Sequence, residues 1–310
     1  MGKTAILFPG QGSQEIGMGA DLIGKYPLFE SLVEMASDIT GEDIADVCIN
    51  GPDSKLIRPH LLQPLIVCVS LSYYEQLLEH GIKADYLAGH SLGEITALAA
   101  AKIVTYEEAI KIALKRGQLM DDIANTNNGG MMAVMFADIE VVKRALDEMN
   151  QPEKINLANN NAPAQVVLSG DLEALEQFSQ KGIGRCLMVK VTGPWHSPYM
   201  ESTKLHYQEW VKSINFQPPQ IPIILNAATK VVRDPETIKQ LHIEQLTDVV
   251  YWRESMEYLM HSGVDLLYEV GPGKVLKGLA RANGFKKGST VISINSIDNI
   301  KALYHETAIS

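Results

Sequence analysis

The stretch YLAGHSLGEI, residues 86–95, decides the fold assignment because it contains the sequence Gly-His-Ser-Leu-Gly. A Gly-x-Ser-x-Gly pattern is typical of a sharp turn from a strand into a helix, which pushes the serine hydroxyl clear of the backbone. Gly89 and Gly93 leave room for such a turn because they carry no Cβ. Apolar residues before the motif predict a short strand, and helix formers follow it. Ser91 is therefore the candidate nucleophile, with an ordinary strand–helix turn as the alternative.

The composition is that of an ordinary globular chain with an acidic balance. The 310 residues are 46% hydrophobic and 21% charged, and the formal net charge is -10. Nucleic-acid binding is not expected, because a phosphate backbone requires a basic surface. No continuous apolar run reaches the ~18 residues of a membrane span. The first residues predict a strand rather than a signal peptide, so we expect no membrane contact.

The three cysteines, Cys48, Cys68 and Cys186, are widely spaced in apolar surroundings. This pattern indicates buried thiols in a reducing compartment rather than disulfides or metal ligands. The eight histidines show no His-x-x-x-His spacing, so we expect no metal site. We therefore predict a cytoplasmic protein, and we expect it to act as a monomer.

Strand-like and helix-like segments alternate along the chain, which predicts an α/β fold with a mainly parallel sheet. A strand over residues 4–8 is followed by the loop PGQGSQ and by a helix from about Gly17. Long helices are predicted over residues 61–78 and 106–123. The polar stretch NTNNGG, residues 125–130, predicts a hinge.

The pattern after this hinge predicts a small inserted domain. Its strands are predicted over residues 131–136, 156–158, 165–169 and 186–191, and its helices over residues 138–149 and 171–181. This βαββαβ order is typical of a ferredoxin-like unit. We predict a large discontinuous domain of residues 1–124 and 196–310, a small domain of residues 125–195, and a ligand cleft between them.

A serine hydroxyl becomes a good nucleophile only when a neighbouring base takes its proton. His90 adjoins Ser91, but on so tight a turn its side chain is expected to point away from the hydroxyl. His196, in VTGPWHSPYM, follows a strand and a Gly-Pro turn. It therefore belongs to a loop at a strand end, where active-site residues collect in such sheets. His196 is the candidate base, and a loop histidine that caps the next helix is the alternative.

Five motifs occur in order along the chain: FPGQGSQ, GHSLGE, KRGQLM, GPWHS and YEVGPGKVL. Together they resemble the malonyl-CoA:acyl-carrier-protein transacylase family of bacterial fatty acid synthesis, from Thr4 to about Leu279. The resemblance implies an α/β-hydrolase-like core with an inserted ferredoxin-like domain. The hinge predicted above lies at the matching position.

The resemblance also implies roles for the residues of the site. Ser91 would accept the acyl group, His196 would be its base, and an amide oxygen of Gln245 would orient the histidine. The N–H groups of Gln11 and Leu92 would form the oxyanion hole. The turn geometry agrees for Leu92, since the residue after such a serine directs its N–H at the developing oxyanion. A phosphate-binding loop is the other interpretation of the segment around Gln11, although no Gly-Lys-Ser/Thr sequence ends it.

A permanently charged guanidinium inside a mainly apolar helix is costly unless something pairs with it. By resemblance, Arg116 binds the free carboxylate of a malonyl group through two parallel hydrogen bonds; a surface arginine with a buried stem is the alternative. His90, Asn159 and Asn161 are further substrate-binding candidates. An asparagine-rich turn is the plain interpretation of ANNNAP, residues 158–163.

The activity that the resemblance implies is a ping-pong transfer of malonyl from malonyl-CoA, through Ser91, to the phosphopantetheine thiol of acyl carrier protein. No metal, ATP or redox cofactor is needed. The motifs do not distinguish an enzyme of fatty acid synthesis from one of polyketide synthesis. They also do not distinguish an enzyme that transfers acyl groups to carrier proteins from one that hydrolyses acyl groups off them. Trp195, a bulky departure from the family pattern, leaves acyl selectivity open. The rival classes are a generic serine esterase, which usually has an acidic third residue, and a non-catalytic carrier-protein-binding module.

A basic segment near the end of the chain suggests how an acidic enzyme could hold an acidic carrier protein. The segment GKVLKGLARANGFKKG, residues 273–288, contains no carboxylate and five basic residues: Lys274, Lys277, Arg281, Lys286 and Lys287. Spacings of three and four place the first three on one side of a helix. We predict that this face docks the carrier protein, and a solvated helix face is the alternative.

Overall fold

The computed structural model describes residues 2–285 and 288–307 of the chain, with side chains described as far as residue 303. Lys286 and Lys287 of the basic segment lie outside the described residues. Helices pack on two β-sheets, and the predicted α/β class is confirmed.

Ten strands are defined in the described chain. They are β1 (Lys3–Phe8), β2 (Tyr86–Gly89), β3 (Gly129–Met135), β4 (Ile155–Ala162), β5 (Gln165–Asp171), β6 (Arg185–Met188), β7 (Ile223–Ile224), β8 (Val231–Val232), β9 (Val264–Val270) and β10 (Thr290–Ile294).

The α-helices of the described chain are α1 (Pro27–Thr40), α2 (Ile44–Asn50), α3 (Asp53–Leu56), α4 (Pro59–Glu79), α5 (Gly93–Ala100), α6 (Tyr106–Thr126), α7 (Ile139–Met149), α8 (Leu172–Ser179), α9 (Glu201–Val211), α10 (Pro235–Glu244), α11 (Trp252–His261), α12 (Val275–Ala282) and α13 (Ile297–Thr307). A short 3-10 helix, Pro198–Met200, precedes α9.

The larger sheet has six strands in the order β10-β9-β1-β2-β7-β8. All neighbouring pairs are parallel except β7 and β8 at one edge. Residues 5–8 of the central strand β1 are fully buried, as expected for a parallel strand covered on both faces. Phe8 pairs with Gly89, so β1 and β2 end side by side. The loops that follow them therefore share the carboxyl edge of the sheet, where ligands bind in folds of this class.

The smaller sheet has four antiparallel strands in the order β4-β5-β3-β6. Its chain order is βαββαβ, and α7 and α8 contribute to an apolar cluster of its own with buried residues such as Val142 and Phe178. Strand β4 also contacts the larger part of the protein, because Asn160 N donates to Val250 O at 2.9 Å and Val250 N donates to Ala158 O at 2.9 Å.

The helix predicted from about Gly17 is wrong. Residues 17–25 form turns, and the first helix begins only at Pro27. Gly17, Gly19 and Gly24 adopt φ of 90°, 75° and 66°, a left-handed conformation that interrupts a right-handed helix. Proline at the first helical position fits the start of α1, because its fixed φ suits that position and its missing N–H would have had no partner there.

Two long helices, α4 and α6, cross at a small residue next to the candidate arginine. A Cβ on Gly117 would lie 2.4 Å from Pro59 O, so only glycine permits this approach. Helix α4 is long and apolar enough to span a membrane, although polar residues interrupt its apolar sequence. However, 83% of its most apolar 18-residue segment is buried inside the protein. Helix α6 begins with a capping box between Thr105 and Glu108, which stabilises its first turn.

Candidate active site

Ser91 lies on a strained turn between β2 and α5. Its φ is 52°, which is uncommon for a residue other than glycine. A Cβ on Gly93 would lie 2.0 Å from Phe8 O, and one on Gly89 would lie 2.0 Å from Gly93 C. Both glycines are therefore required by close backbone contacts, and the serine side chain is held at the carboxyl edge of the sheet.

The structure places His196, rather than His90, at the serine hydroxyl. Ser91 Oγ lies 2.7 Å from His196 Nε2, and His196 Nδ1 lies 2.8 Å from the main-chain oxygen of Gln245. Since a carbonyl oxygen only accepts, Nδ1 carries the proton, and Nε2 is free to accept one from Ser91. His196 is only 3% exposed, which is not the position of a helix-capping loop residue.

Burial, together with the positive charge of the neighbouring Arg116, lowers the pKa of His196 to about 3. The imidazole is consequently neutral at physiological pH. A neutral histidine with a free Nε2 has the protonation state that a general base requires.

Gln245 contacts the site differently from the expected arrangement. Its main-chain oxygen, not its side-chain oxygen, contacts His196. The side chain instead accepts from Arg116 Nη2 at 3.4 Å and donates from Nε2 to Ser91 O at 3.1 Å. Gln245 follows the last residue of α10, and carbonyls at a helix end are not used within the helix. It is 2% exposed, so Gln245 is buried within the site and does not lie on an exposed helix surface.

Arg116 is buried beside the nucleophile without a carboxylate partner. Its side chain is 2% exposed, and among the described residues it forms no ion pair. Nη2 donates to Ser91 Oγ at 3.1 Å, and Nη1 donates to Gln63 Oε1 at 3.1 Å. Burial lowers the pKa of Arg116, and the nearby Tyr207 and Glu94 oppose that shift. The alternative of a surface arginine is wrong, and the site offers a buried cation to an anionic ligand.

Sequence reasoning missed Gln63, which holds the arginine from the opposite side. It is fully buried in α4 within the apolar run LLQPLIV. A polar side chain inside such a run is a signal in itself, because a buried amide requires hydrogen-bond partners.

The expected oxyanion donors lie close to the serine. The loop after β1 approaches the turn so closely that a Cβ on Gly10 would lie 2.4 Å from His90 O and 3.5 Å from Leu92 N. Within the described chain, neither Gln11 N nor Leu92 N donates to a protein acceptor. Backbone N–H groups without a partner at this point are available to an oxyanion.

A cavity of about 280 Å³ opens over Ser91. The loops that follow β1 and β2 contribute Gln11 and His90 to its wall, and the smaller sheet and the segment after it contribute Val167 and Trp195. The cavity therefore lies between the two sheets, which is the position expected for the ligand cleft.

The asparagine segment is a strand, not a turn. Asn159 and Asn161 lie on β4, which continues to Ala162 because it pairs with β5 and contacts Val250. Both are buried and line the cavity. Asn161 Oδ1 lies 2.8 Å from His90 Nε2, so the side chain of His90 is directed at Asn161 and away from the serine hydroxyl.

The cysteines and the acidic residues add no second reactive centre to this site. The three cysteines are free thiols, and burial raises the pKa of Cys48 to about 12. Among the described residues, no group of three His, Cys, Asp or Glu side chains is arranged to hold a metal ion. A carbonyl oxygen occupies the place where an esterase triad usually has a carboxylate.

Comparison with known proteins agrees with this geometry. The model of the family described as acyl transferase domain matches residues 6–297. The chain is 38% identical over 279 residues to a polyketide biosynthesis malonyl CoA-acyl carrier protein transacylase of Bacillus subtilis (strain 168), covering 88% of this chain and 94% of that protein. It is 34% identical over 286 residues to a malonyl CoA-acyl carrier protein transacylase of the same organism, covering 91% and 90%.

A solved structure shares the whole architecture. It is a malonyl-transacylase in complex with its type II PKS acyl-carrier protein, and the match has a TM-score of 0.92 at 31% identity, covering 98% of this chain and 99% of that chain. The family match and the two relatives extend over most of the chain, including the serine, histidine and arginine described above. The chain therefore belongs to the acyl transferase family, among the malonyl CoA-acyl carrier protein transacylases.

Proposed function

We propose that this acyltransferase moves a malonyl group from malonyl-CoA to the phosphopantetheine thiol of an acyl carrier protein through a malonyl ester on Ser91. The observation that carries the proposal is the buried Arg116, which has no carboxylate partner among the described residues and whose Nη2 lies 3.1 Å from Ser91 Oγ. A guanidinium binds a carboxylate through two parallel N–H bonds. An acyl group with a free carboxylate can therefore be held with its thioester carbon at the serine.

In the first half-reaction, His196 Nε2 takes the Ser91 proton as Oγ attacks the thioester carbonyl carbon. The carbonyl oxygen becomes an oxyanion that accepts from the N–H groups of Gln11 and Leu92. The C–S bond then breaks, and the histidine returns the proton to the leaving thiolate of CoA. The 2.7 Å contact between Ser91 Oγ and His196 Nε2 supports the first proton transfer.

In the second half-reaction, the carrier-protein thiol gives its proton to His196 Nε2, and its sulfur attacks the malonyl ester. Collapse of the new oxyanion breaks the ester C–O bond, and Ser91 regains a proton from the histidine. The reaction exchanges one thioester for another of similar energy, so these steps require no ATP, metal or redox cofactor.

We further propose that residues 1–124 and 196–310 form an α/β-hydrolase-like domain and that residues 125–195 form a ferredoxin-like domain. The parallel sheet with the serine turn after β2 supports the first assignment. The βαββαβ order with an antiparallel sheet supports the second. We propose the cytoplasm as the compartment, which the free thiols support.

Replacing His196 by alanine should slow acylation by malonyl-CoA about 10²- to 10⁴-fold, as loss of a general base does. Rapid-quench measurement of the acyl-enzyme checks this. A near-normal rate constant would place the base elsewhere, and His90 would then be the next residue to replace.

The described basic residues of the segment 273–288 lie on α12 and directly before it, and this helix lines the cavity. Leu276 and Leu279 of α12 line the cavity, while Lys274 and Arg281 are exposed and Lys277 is half-buried. Within the described residues, none of the three forms an ion pair. We propose that this face, Lys274, Lys277 and Arg281, attracts the acidic carrier protein to the cavity.

The double substitution Lys277→Glu with Arg281→Glu should raise the Michaelis constant for carrier protein and weaken its salt dependence, because rim charges act mainly on encounter. Acylation by malonyl-CoA should be largely unaffected. Lys111→Glu with Lys212→Glu is the control that makes the same change of charge, since Lys111 lies on α6 and Lys212 directly after α9, with side chains 43% and 59% exposed. Unchanged transfer kinetics at low salt in the first variant would place docking elsewhere.

A further inference from the structure

The peptide of Ser91 is held by a buried side chain that the reaction scheme does not use. Ser91 N donates to Asn226 Oδ1 at 2.8 Å, and Asn226 Nδ2 donates to Gly89 O at 2.6 Å. Asn226 is 2% exposed and lies just beyond β7, the strand next to β2. One amide therefore spans the turn, with one hydrogen bond before His90 and one after it.

A buried carboxylate determines which way this amide faces. Glu94 is fully buried on α5, and its Oε2 accepts from Asn226 N at 2.8 Å and from Asn226 Nδ2 at 2.9 Å. Ser91 N–H and Asn226 Nδ2 can only donate. A flipped amide would place Nδ2 against the Ser91 N–H and Oδ1 against two acceptor oxygens. Glu94 thus enforces the orientation in which the amide oxygen faces the nucleophile.

The carboxylate is itself fixed by two further buried groups. Glu94 Oε1 lies 3.0 Å from His242 Nδ1, and His242 Nε2 lies 2.8 Å from the hydroxyl of Tyr207. Donation from His242 Nδ1 leaves Nε2 to accept from the tyrosine, so every group in the series has a partner. A completely satisfied buried network is rigid.

This network ends at the backbone N–H of Ser91, the residue that carries the nucleophilic hydroxyl. The positive φ of Ser91 persists only if its surroundings determine it. At that φ, Ser91 Oγ lies within hydrogen-bond distance of both His196 Nε2 and Arg116 Nη2. Asn226 also occupies the N–H of Ser91, which leaves the N–H of Leu92 as the free donor at the turn.

We propose that Asn226, oriented by Glu94, is a positioning residue for the nucleophile. It holds the peptide groups on both sides of the turn, so that the serine hydroxyl stays aligned with its base and with the arginine. The proposal rests on the proposed function, in which Ser91 is acylated.

The test is single-turnover acylation of Asn226→Ala protein by malonyl-CoA, followed by intact mass. We expect the rate constant to fall about 10- to 100-fold, as misplacement of a reacting group does. The burst amplitude of the folded protein should stay near one adduct per chain, and the Michaelis constant for malonyl-CoA should change much less than the rate constant. A merely structural residue would lower the amplitude and leave the rate constant of the remaining active protein unchanged, which would overturn the proposal.

Tyr207→Phe is the matched control, because it removes a buried hydrogen bond at the far end of the same network, where Glu94 and His242 separate Tyr207 from Asn226. It should lower the melting temperature and leave the acylation rate constant within about twofold, since the hydrogen bonds to Ser91 and Gly89 remain. An equal slowing in both variants would show a general loss of packing and would overturn the proposal.

The isosteric change Asn226→Asp keeps the test decisive if Asn226→Ala fails to fold. It retains an acceptor for Ser91 N–H but places an oxygen against Glu94, so acylation should slow. Adding Glu94→Gln supplies an N–H donor to that oxygen and should restore part of the rate constant. An unchanged rate constant in Asn226→Asp protein overturns the proposal. If malonyl-CoA forms no adduct on the proteolytic fragment of wild-type protein that contains Ser91, the proposed function itself is wrong.

Discussion

Alanine in place of Ser91 is expected to abolish the malonyl-enzyme formed from malonyl-CoA while leaving the fold intact. The turn presents this hydroxyl at 2.7 Å from His196 Nε2 and 3.1 Å from Arg116 Nη2. Wild-type protein should gain about 86 Da, the malonyl group less the proton that it replaces, and the variant should gain nothing. Intact mass spectrometry after incubation with malonyl-CoA makes the measurement.

Ser13 provides the matched control for that experiment. It also lines the cavity, and its Oγ donates to Gly10 O at 2.7 Å instead of facing a base. The Ser13→Ala variant should still be acylated. An adduct of the same mass on the Ser91→Ala protein would show that another residue is the nucleophile.

The second large effect is expected from Arg116→Ala, which should lose malonyl transfer and gain relative activity toward acetyl-CoA. Truncation of one partner of a desolvated charge pair costs about 2–5 kcal/mol. Only the malonyl carboxylate forms that pair, so the ratio of kcat/KM for malonyl-CoA to that for acetyl-CoA should collapse or reverse. Steady-state kinetics with both thioesters gives the ratio.

Arg116→Lys separates charge from geometry in this experiment. A lysine retains the positive charge but not the planar pair of N–H donors, so selectivity should lie between that of wild type and that of the alanine variant. Equal losses for malonyl-CoA and acetyl-CoA in the alanine variant would indicate that Arg116 only supports the hydroxyl and the packing around Gln63.

The local sequence was sufficient to predict the serine turn and the α/β class. Gly89 and Gly93 are required by close backbone contacts. Because only glycine fits at these two positions, the turn can be recognised from the local sequence. The strands predicted over residues 4–8 and immediately before the serine motif correspond to β1 and β2 of the structure. Short apolar runs bounded by turn signals are consistent with buried strands, and their short length favours a strand over a helix.

Other features depend on contacts between distant segments and leave no local pattern. The His196 partner is a main-chain carbonyl of Gln245, which any residue could supply. Asn159 and Asn161 belong to a strand because β5 and Val250 supply the pairing, although asparagine favours turns. Asn226 is separated from Ser91 by 135 positions, and the pairing of β2 with β7 brings the two together.

The missing helix after β1 has a different physical cause. Residues 17–25 contain several helix-compatible side chains, but three glycines with positive φ convert the segment into consecutive turns. Sequence alone does not show which sign of φ a glycine adopts, because both are accessible to it.

The central claim, that a malonyl group passes through the enzyme to a carrier protein, is tested most directly by a chase experiment. The enzyme is loaded with malonyl-CoA, freed of excess thioester, and mixed with a holo acyl carrier protein while both proteins are followed by intact mass. The account predicts that about 86 Da leaves the enzyme and appears on the carrier protein with the same rate constant. Loss of the group from the enzyme as free malonate, with no gain on the carrier protein, would contradict it and would indicate a hydrolase.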